Sequence, residues 1–264
     1  MERWHIQHNV SNEAAYAVLA VDRIWNGYGI ADLEEPFRSY TTATLAHRGN
    51  EPPTAACILL RHPAFCAIVA YGDAEGFDAI LEALELPDHT FILARQEHLP
   101  AIQQRYDFPQ GILNMTRMWT TAANFRPAAT VPEEIERLGP DDLPALHRLY
   151  ASYPENAFND DQVLHGIFYG VRQDGEVLAA GGVHVLAPHY GIGAIGNVYT
   201  RAEARGRGYA SAITSCIATD LLAGTFREVI LNVRTNNDQA ARIYTRLGFA
   251  PYCTYLEAPA QRKP

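Results

Sequence analysis

Between Ala194 and Leu222 the sequence passes from an apolar, strand-like run through a basic loop into a long helical pattern. The loop reads Arg201-Ala202-Glu203-Ala204-Arg205-Gly206-Arg207-Gly208-Tyr209-Ala210-Ser211. The pattern opened by Gly208 continues to about Leu222, with Ala212, Ile213, Cys216 and Ile217 on one face. A helix start leaves N–H groups unpaired and carries about half a positive charge. Small residues before it let backbone approach an anion closely, and Arg205 and Arg207 add full positive charges. The combination suits a pyrophosphate. No Gly-Lys-Ser/Thr follows, so this is not a P-loop, and no third glycine stands in register for a dinucleotide fingerprint.

The rest of the chain gives this loop its setting. With 264 residues and 48% hydrophobic composition there is material for one large or two modest cores. The net charge of −9 leaves no basic stripe for nucleic acid. Cys57, Cys66, Cys216 and Cys253 sit singly in apolar stretches, which predicts buried reduced thiols. No run approaches the ~20 apolar residues of a membrane span, and the polar start, Met1 to His5, lacks an apolar leader core. A cytoplasmic protein that binds no membrane is expected.

Spacing predicts elements in both halves. Ser11–Trp25 is amphipathic, with Ser11 placed as an N-cap. Ala56–Leu60 and Phe65–Ala70 read as a hairpin, Gly76–Leu84 as a helix, and Thr90–Ala94 and Leu113–Thr121 as strands. Asn124–Pro132, rich in proline and alanine, reads as a linker. Domains are therefore expected at 1–125 and 126–264. The second half gives Glu134–Leu138, then a helix from Gly139 to about Tyr150 and a short helix over Asp160–His165. Strands at Gly170–Gln173 and Val177–Leu186 meet across Asp174-Gly175, a hairpin signal. Val229–Arg234, Asp238–Leu247 and Ala250–Glu257 read as strand, helix and a last strand.

Arg205-x-x-Gly208-x-Ala210 resembles the R/Q-x-x-G-x-G/A signature of the GNAT acetyltransferase superfamily. Some thirty residues on, the segment from Leu231 to Phe249, with Asn237, Ala240, Tyr244 and Gly248-Phe249 in register, resembles that family's V-x-x-x-N-x-x-A-x-x-x-Y-x-x-x-G-F pattern. The resemblance is strong over Asn197–Phe249 and extends by element order to about Glu134. It implies an α/β (α+β) fold, a mixed and mostly antiparallel sheet flanked by helices. The domain before it is a second α/β unit, read as a degenerate copy that binds no coenzyme A and covers the acceptor cleft or mediates a homodimer. The two-part layout is similar to that of glycine N-acyltransferases.

The resemblance also assigns roles. Acetyl-coenzyme A, or another acyl-coenzyme A, is the implied cosubstrate, with no metal. N–H groups of Arg207, Gly208, Tyr209 and Ala210 would wrap its pyrophosphate, with Arg205 and Gly206 at the loop entrance. Asn197, Val198 and Tyr199 would pair through their backbone with the pantetheine arm, and Asn237 and Ala240 would meet it from the next helix. Asn232, polar in an apolar strand, either satisfies a buried backbone group or faces the cofactor. Tyr244 would protonate the leaving sulfur as general acid, the alternative being a core tyrosine on the buried face of its helix. Relatives place a glutamate on the central strand, which here carries no acid, so His184, His189 and Glu155 are the candidates for general base. The Tyr153–Asp161 loop lies where relatives bind the acceptor. The expected reaction is transfer of an acetyl or short acyl group to a primary amine of a small molecule. A non-catalytic acyl-coenzyme A sensor and a protein or peptide N-acetyltransferase are the alternatives. Only one strand fits after Phe249, and the vacant sheet position is expected to be filled from the first half, by Leu113–Thr121, the alternative being that the site end of the sheet is simply shorter.

Overall fold

Runs that alternate apolar and polar residues, separated by helical spacings and Gly- or Asp-bearing turns, build strand–helix units in chain order. The computed structural model describes residues 3–132, 134–153 and 156–264. It resolves into two compact units: unit 1 is Met1–Thr116 with Cys253–Pro264, and unit 2 is Arg117–Tyr252.

Unit 1 runs β1 (Trp4–Gln7), α1 (Asn12–Leu19), α2 (Gly27–Ala31), β2 (Thr41–Arg48), β3 (Ala55–His62) and β4 (Phe65–Gly72). It continues with α3 (Ala74–Ala83), β5 (His89–Ala94), α4 (Leu99–Arg105) and β6 (Tyr106–Asp107). β7 (Leu113–Thr120) begins in unit 1 and ends in unit 2. Strands β1 to β4 pair antiparallel in order, and β4 pairs parallel with β5. Phe77, Ile80 and Leu81 of α3 pack with Cys57, Leu59, Ile68 and Ile92 in one core. Ser11 caps α1 by accepting from the Ala14 N–H, as its sequence position predicts.

Unit 2 runs β8 (Ile135–Leu138), α5 (Leu143–Ala151), α6 (Asp160–Leu164), β9 (Phe168–Gln173), β10 (Glu176–Ala187), β11 (Ile192–Thr200), α7 (Tyr209–Ala223), β12 (Glu228–Arg234) and α8 (Asp238–Arg246). β13 (Ala250–Arg262) starts in unit 2 and ends in unit 1. Strands β8 to β11 pair antiparallel in order, and β11 pairs parallel with β12. The two units thus repeat one plan: antiparallel strands, then a helix crossover into a parallel neighbour. The crossover in unit 2 is α7, whose Ile213, Ile217, Ala218 and Leu221 are buried with Val229, Leu231, Tyr244 and Phe249. β7 lies beside β12, the sheet position expected to be filled from the first half.

Several expectations change. Asn124–Pro132 is strapped down rather than free: the Arg126 N–H donates to Leu247 O, and the Ala128 N–H to Ser215 Oγ at 2.9 Å. All four cysteines are free thiols, but only Cys57 is buried; the other three keep part of their surface. Strands β1 and β2 lie outside the expected elements, and the last strand runs to Arg262 rather than Glu257.

Candidate active site

The loop before α7 is pinned at both ends by apolar anchors, Ala204 and Tyr209, while Arg205, Gly206, Arg207 and Gly208 are exposed. Gly206 and Gly208 adopt φ of +81° and +82°, the left-handed region where only glycine is relaxed. A Cβ built at either would meet nothing within 4 Å. Gly208 is the N-cap of α7 and offers no side-chain acceptor, and the first turn holds no acid. The N–H groups of Tyr209, Ala210 and Ser211 therefore have no intrahelical acceptor. Arg205 Nε donates to Thr200 O at 3.2 Å, which ties one guanidinium to the loop base. The residues present fit a diphosphate: donors without a built-in acceptor, cationic flanks, and space.

Beside the loop the sheet divides. β11 and β12 pair from Ile192↔Glu228 to Ile195↔Leu231 and no further. Past Ile195, β11 stays with β10 through a bulge, where Gly196 and Tyr199 oppose Gly182 and Ala180. One extra residue sits in β11, and Asn197 takes φ of +54° there. The result is a notch where the ends of β11 and β12 part, with Val198 and Tyr199 on the β11 side.

Asn197 is held from the helix side. Tyr150 Oη donates to Asn197 O at 2.6 Å, and Asn197 Nδ2 donates to Gln162 Oε1 at 2.7 Å. Tyr199 stacks on Tyr153, with centroids 5.1 Å apart and ring planes 2° from parallel. Asn232 accepts from Arg117 Nε at 3.0 Å, so it binds a fully buried guanidinium of β7, a third outcome beside the two expected. Asn237 caps α8, accepting from the Ala240 N–H at 3.1 Å. Ala240 and Val198 pack on the same core as Tyr244.

Tyr244, in the middle of α8, is buried, and burial, reinforced by Tyr153, pushes its phenol up to about 12. Its hydroxyl makes no hydrogen bond among the described residues. His184 keeps some residue surface, but its ring is enclosed, and burial pulls it down to about 4. The imidazole is thus neutral at pH 7 and a weak base. Room for that ring comes from Gly196, where a Cβ would lie 2.8 Å from His184 Cβ. His189 stacks edge-on against Tyr190 in the β10–β11 turn. Glu155 lies outside the described residues. Sequence reasoning missed Arg117, Tyr150 and Gln162. Arg117 reads as a mid-strand charge and the other two as helix residues, and nothing in their spacing reports the partner strand.

The sequence profile of the acetyltransferase (GNAT) family matches residues 133–249, which span the loop, the notch and Tyr244. Residues 133–249 are a GNAT acetyltransferase domain. Acyl transfer from acyl-coenzyme A to an amine is the reaction of the family that this domain matches. No curated protein matches the sequence. Solved structures share the fold across both units. A Drosophila protein superposes with TM-score 0.70 at 12% identity, covering 98% of this chain and 99% of its own. A GCN5-related N-acetyltransferase from Sphaerobacter thermophilus gives 0.58 at 16% identity, covering 100% and 97%. A tandem GNAT protein from the clavulanic acid biosynthesis pathway gives 0.56 at 12%, covering 99% of each chain.

Proposed function

We propose that unit 2 moves an acetyl or short acyl group from acyl-coenzyme A to the primary amine of a small molecule. The observation that carries this reading is the uncapped start of α7, cationic and unobstructed, next to a split sheet with a buried phenol behind it. Arg205, Gly206, Arg207, Gly208, Tyr209 and Ala210 would hold the diphosphate, and the β11 end at Val198 and Tyr199 would receive the peptide-like arm. The acidic chain tolerates a cationic or neutral acceptor better than an anionic one.

The cosubstrate supplies a thioester. A C–N bond forms to its carbonyl carbon as the C–S bond breaks, and the departing sulfur takes a proton. Tyr244 is assigned as the donor. Burial keeps it protonated through the neutral range, so the proton is in place at each turnover. The positive charge growing on the attacking nitrogen favours phenolate and offsets part of that burial. An alkylamine has a pKa near 10.4, so freeing it at pH 7 costs about 4.6 kcal/mol. His184, pulled down to about 4, is too weak to draw that proton, and we leave it to solvent.

An amine panel with acetyl-coenzyme A, read by thiol release, tests the proposal. Tyr244→Phe should lower kcat on the order of a hundredfold, within the range of a general acid, and leave coenzyme A affinity unchanged. Unchanged kcat would remove Tyr244 from the chemistry. Coenzyme A binding with no thiol release from wild type on any amine would instead mark a binding-only regulator.

A further inference from the structure

The side chain of Gln162 sits where three segments meet. It lies in the first turn of α6, is 9% exposed, and completes a capping box in which its N–H donates to Asn159 Oδ1 at 3.2 Å. Its amide orientation follows from fixed backbone partners. The Asn159 N–H donates to Gln162 Oε1 at 3.3 Å, so that atom is the oxygen. Gln162 Nε2 donates to Ala157 O at 3.2 Å, so that atom is the nitrogen. It follows that Asn197 donates through Nδ2 into Gln162 Oε1, and that the Gln162 amide faces His184 Nδ1 at 3.4 Å. The imidazole thus carries its proton on Nε2 and presents Nδ1 as an acceptor. A neutral, desolvated ring is the state this contact needs.

Asn197 is a non-glycine residue at φ +54°, a conformation that asparagine adopts at modest cost and that is held here from two sides. Its amide is held by Gln162 and its carbonyl by Tyr150, and the Tyr150 carbonyl is itself held by Asn156 Nδ2 at 3.1 Å. The bulge that turns β11 away from β12 is therefore bolted to the 156–162 segment through one buried amide.

Resting on the reading of the β11 end as the arm-binding edge, we propose that Gln162 is a positioning residue that sets the bulge at Asn197 and with it the presentation of Val198 and Tyr199 to coenzyme A. The loop before α7 shares none of these contacts. Gln162 accordingly governs binding of the pantetheine arm and leaves binding of the nucleotide end untouched.

Calorimetry on the full chain with two probes separates the cases: coenzyme A, and adenosine 3′-phosphate 5′-diphosphate, which lacks the arm. Gln162→Met, similar in volume and unable to accept from Asn197, should weaken coenzyme A about tenfold and leave the nucleotide unchanged. Asn197→Gly keeps the left-handed backbone, removes the same bond, and should reproduce that loss. The double variant should be no worse than either single one. Equal weakening of both probes, no weakening, or additive losses would overturn the role of Gln162. Wild-type failure to bind coenzyme A at all would overturn the cofactor reading beneath it and the proposal too.

Discussion

At the scale of single residues, burial decides which ionisable groups can act. The ring of His184 is enclosed opposite Gly196, and its pKa falls from the ordinary 6.5 to about 4. The unfolded chain binds a proton there more readily than the folded one between those values. The stability this site contributes is full above pH 6.5 and is lost as pH falls toward 4, by about 3 kcal/mol over the window. His184→Gln removes the titration. Urea midpoints from pH 7 to pH 4 should fall more steeply for wild type than for the variant, and parallel curves would mean the ring is solvated. Tyr244 shows the same physics on the acid side, where enclosure holds the proton on. Asn237 and Asn232 illustrate shared duty: one caps α8 and the other accepts from Arg117, so each has a structural partner at the edge of the notch.

At the scale of elements, two corresponding helices show what makes an anion site. α3 and α7 each follow the strand that leads into the parallel pair. α3 begins at Asp73, whose carboxylate accepts from the Glu75 and Gly76 N–H groups at 2.9 and 3.0 Å. Its donors are already matched to a negative charge. The strand end before it is also occupied, with Trp25 Nε1 donating to Ala70 O and His98 Nε2 meeting Gly72 O. α7 begins at Gly208 with none of this. Gly208→Asp should place a carboxylate beside these unmatched donors. The apo melting temperature should drop only slightly, because the side chain enters open space and aspartate tolerates the left-handed region at about 1 kcal/mol. The thermal shift given by coenzyme A should vanish, and a retained shift would place the diphosphate elsewhere. This loop was legible in sequence because glycines and arginines beside a helix start have a local meaning. β1 and β2 were not: Trp4–Gln7 is only four residues long, and Thr41–Arg48 mixes threonines with a basic end, so tertiary pairing rather than local pattern makes them strands. Gln162 was invisible for the same reason, since its partners Asn197 and His184 lie 35 and 22 residues away.

At the scale of the whole molecule, unit 2 is one continuous stretch of chain, whereas unit 1 is built from two separated stretches. β7 leaves unit 1 for unit 2, where Arg117, Met118 and Thr120 are buried beside β12. β13 leaves unit 2 for unit 1, where it pairs antiparallel with β5 from Leu256↔Ala94 to Gln261↔His89 and with β6 at Gln261↔Asp107. In unit 1 the last strand therefore lies between two others, and its Tyr255, Leu256, Ala258 and Ala260 are buried. A strand in that position satisfies backbone groups on both edges, so its loss exposes two rows of donors and acceptors as well as apolar area. Deleting residues 253–264 should strip hydrogen-exchange protection from His89–Ala94 while the amides paired between β10 and β11 in unit 2 stay protected. Persisting protection at β5 would show that unit 1 closes without its late-arriving strand. Chain order gives this consequence weight: most of unit 1 precedes unit 2, yet its sheet is completed by residues 253–264, which follow unit 2, so its final stability waits on unit 2 having been made.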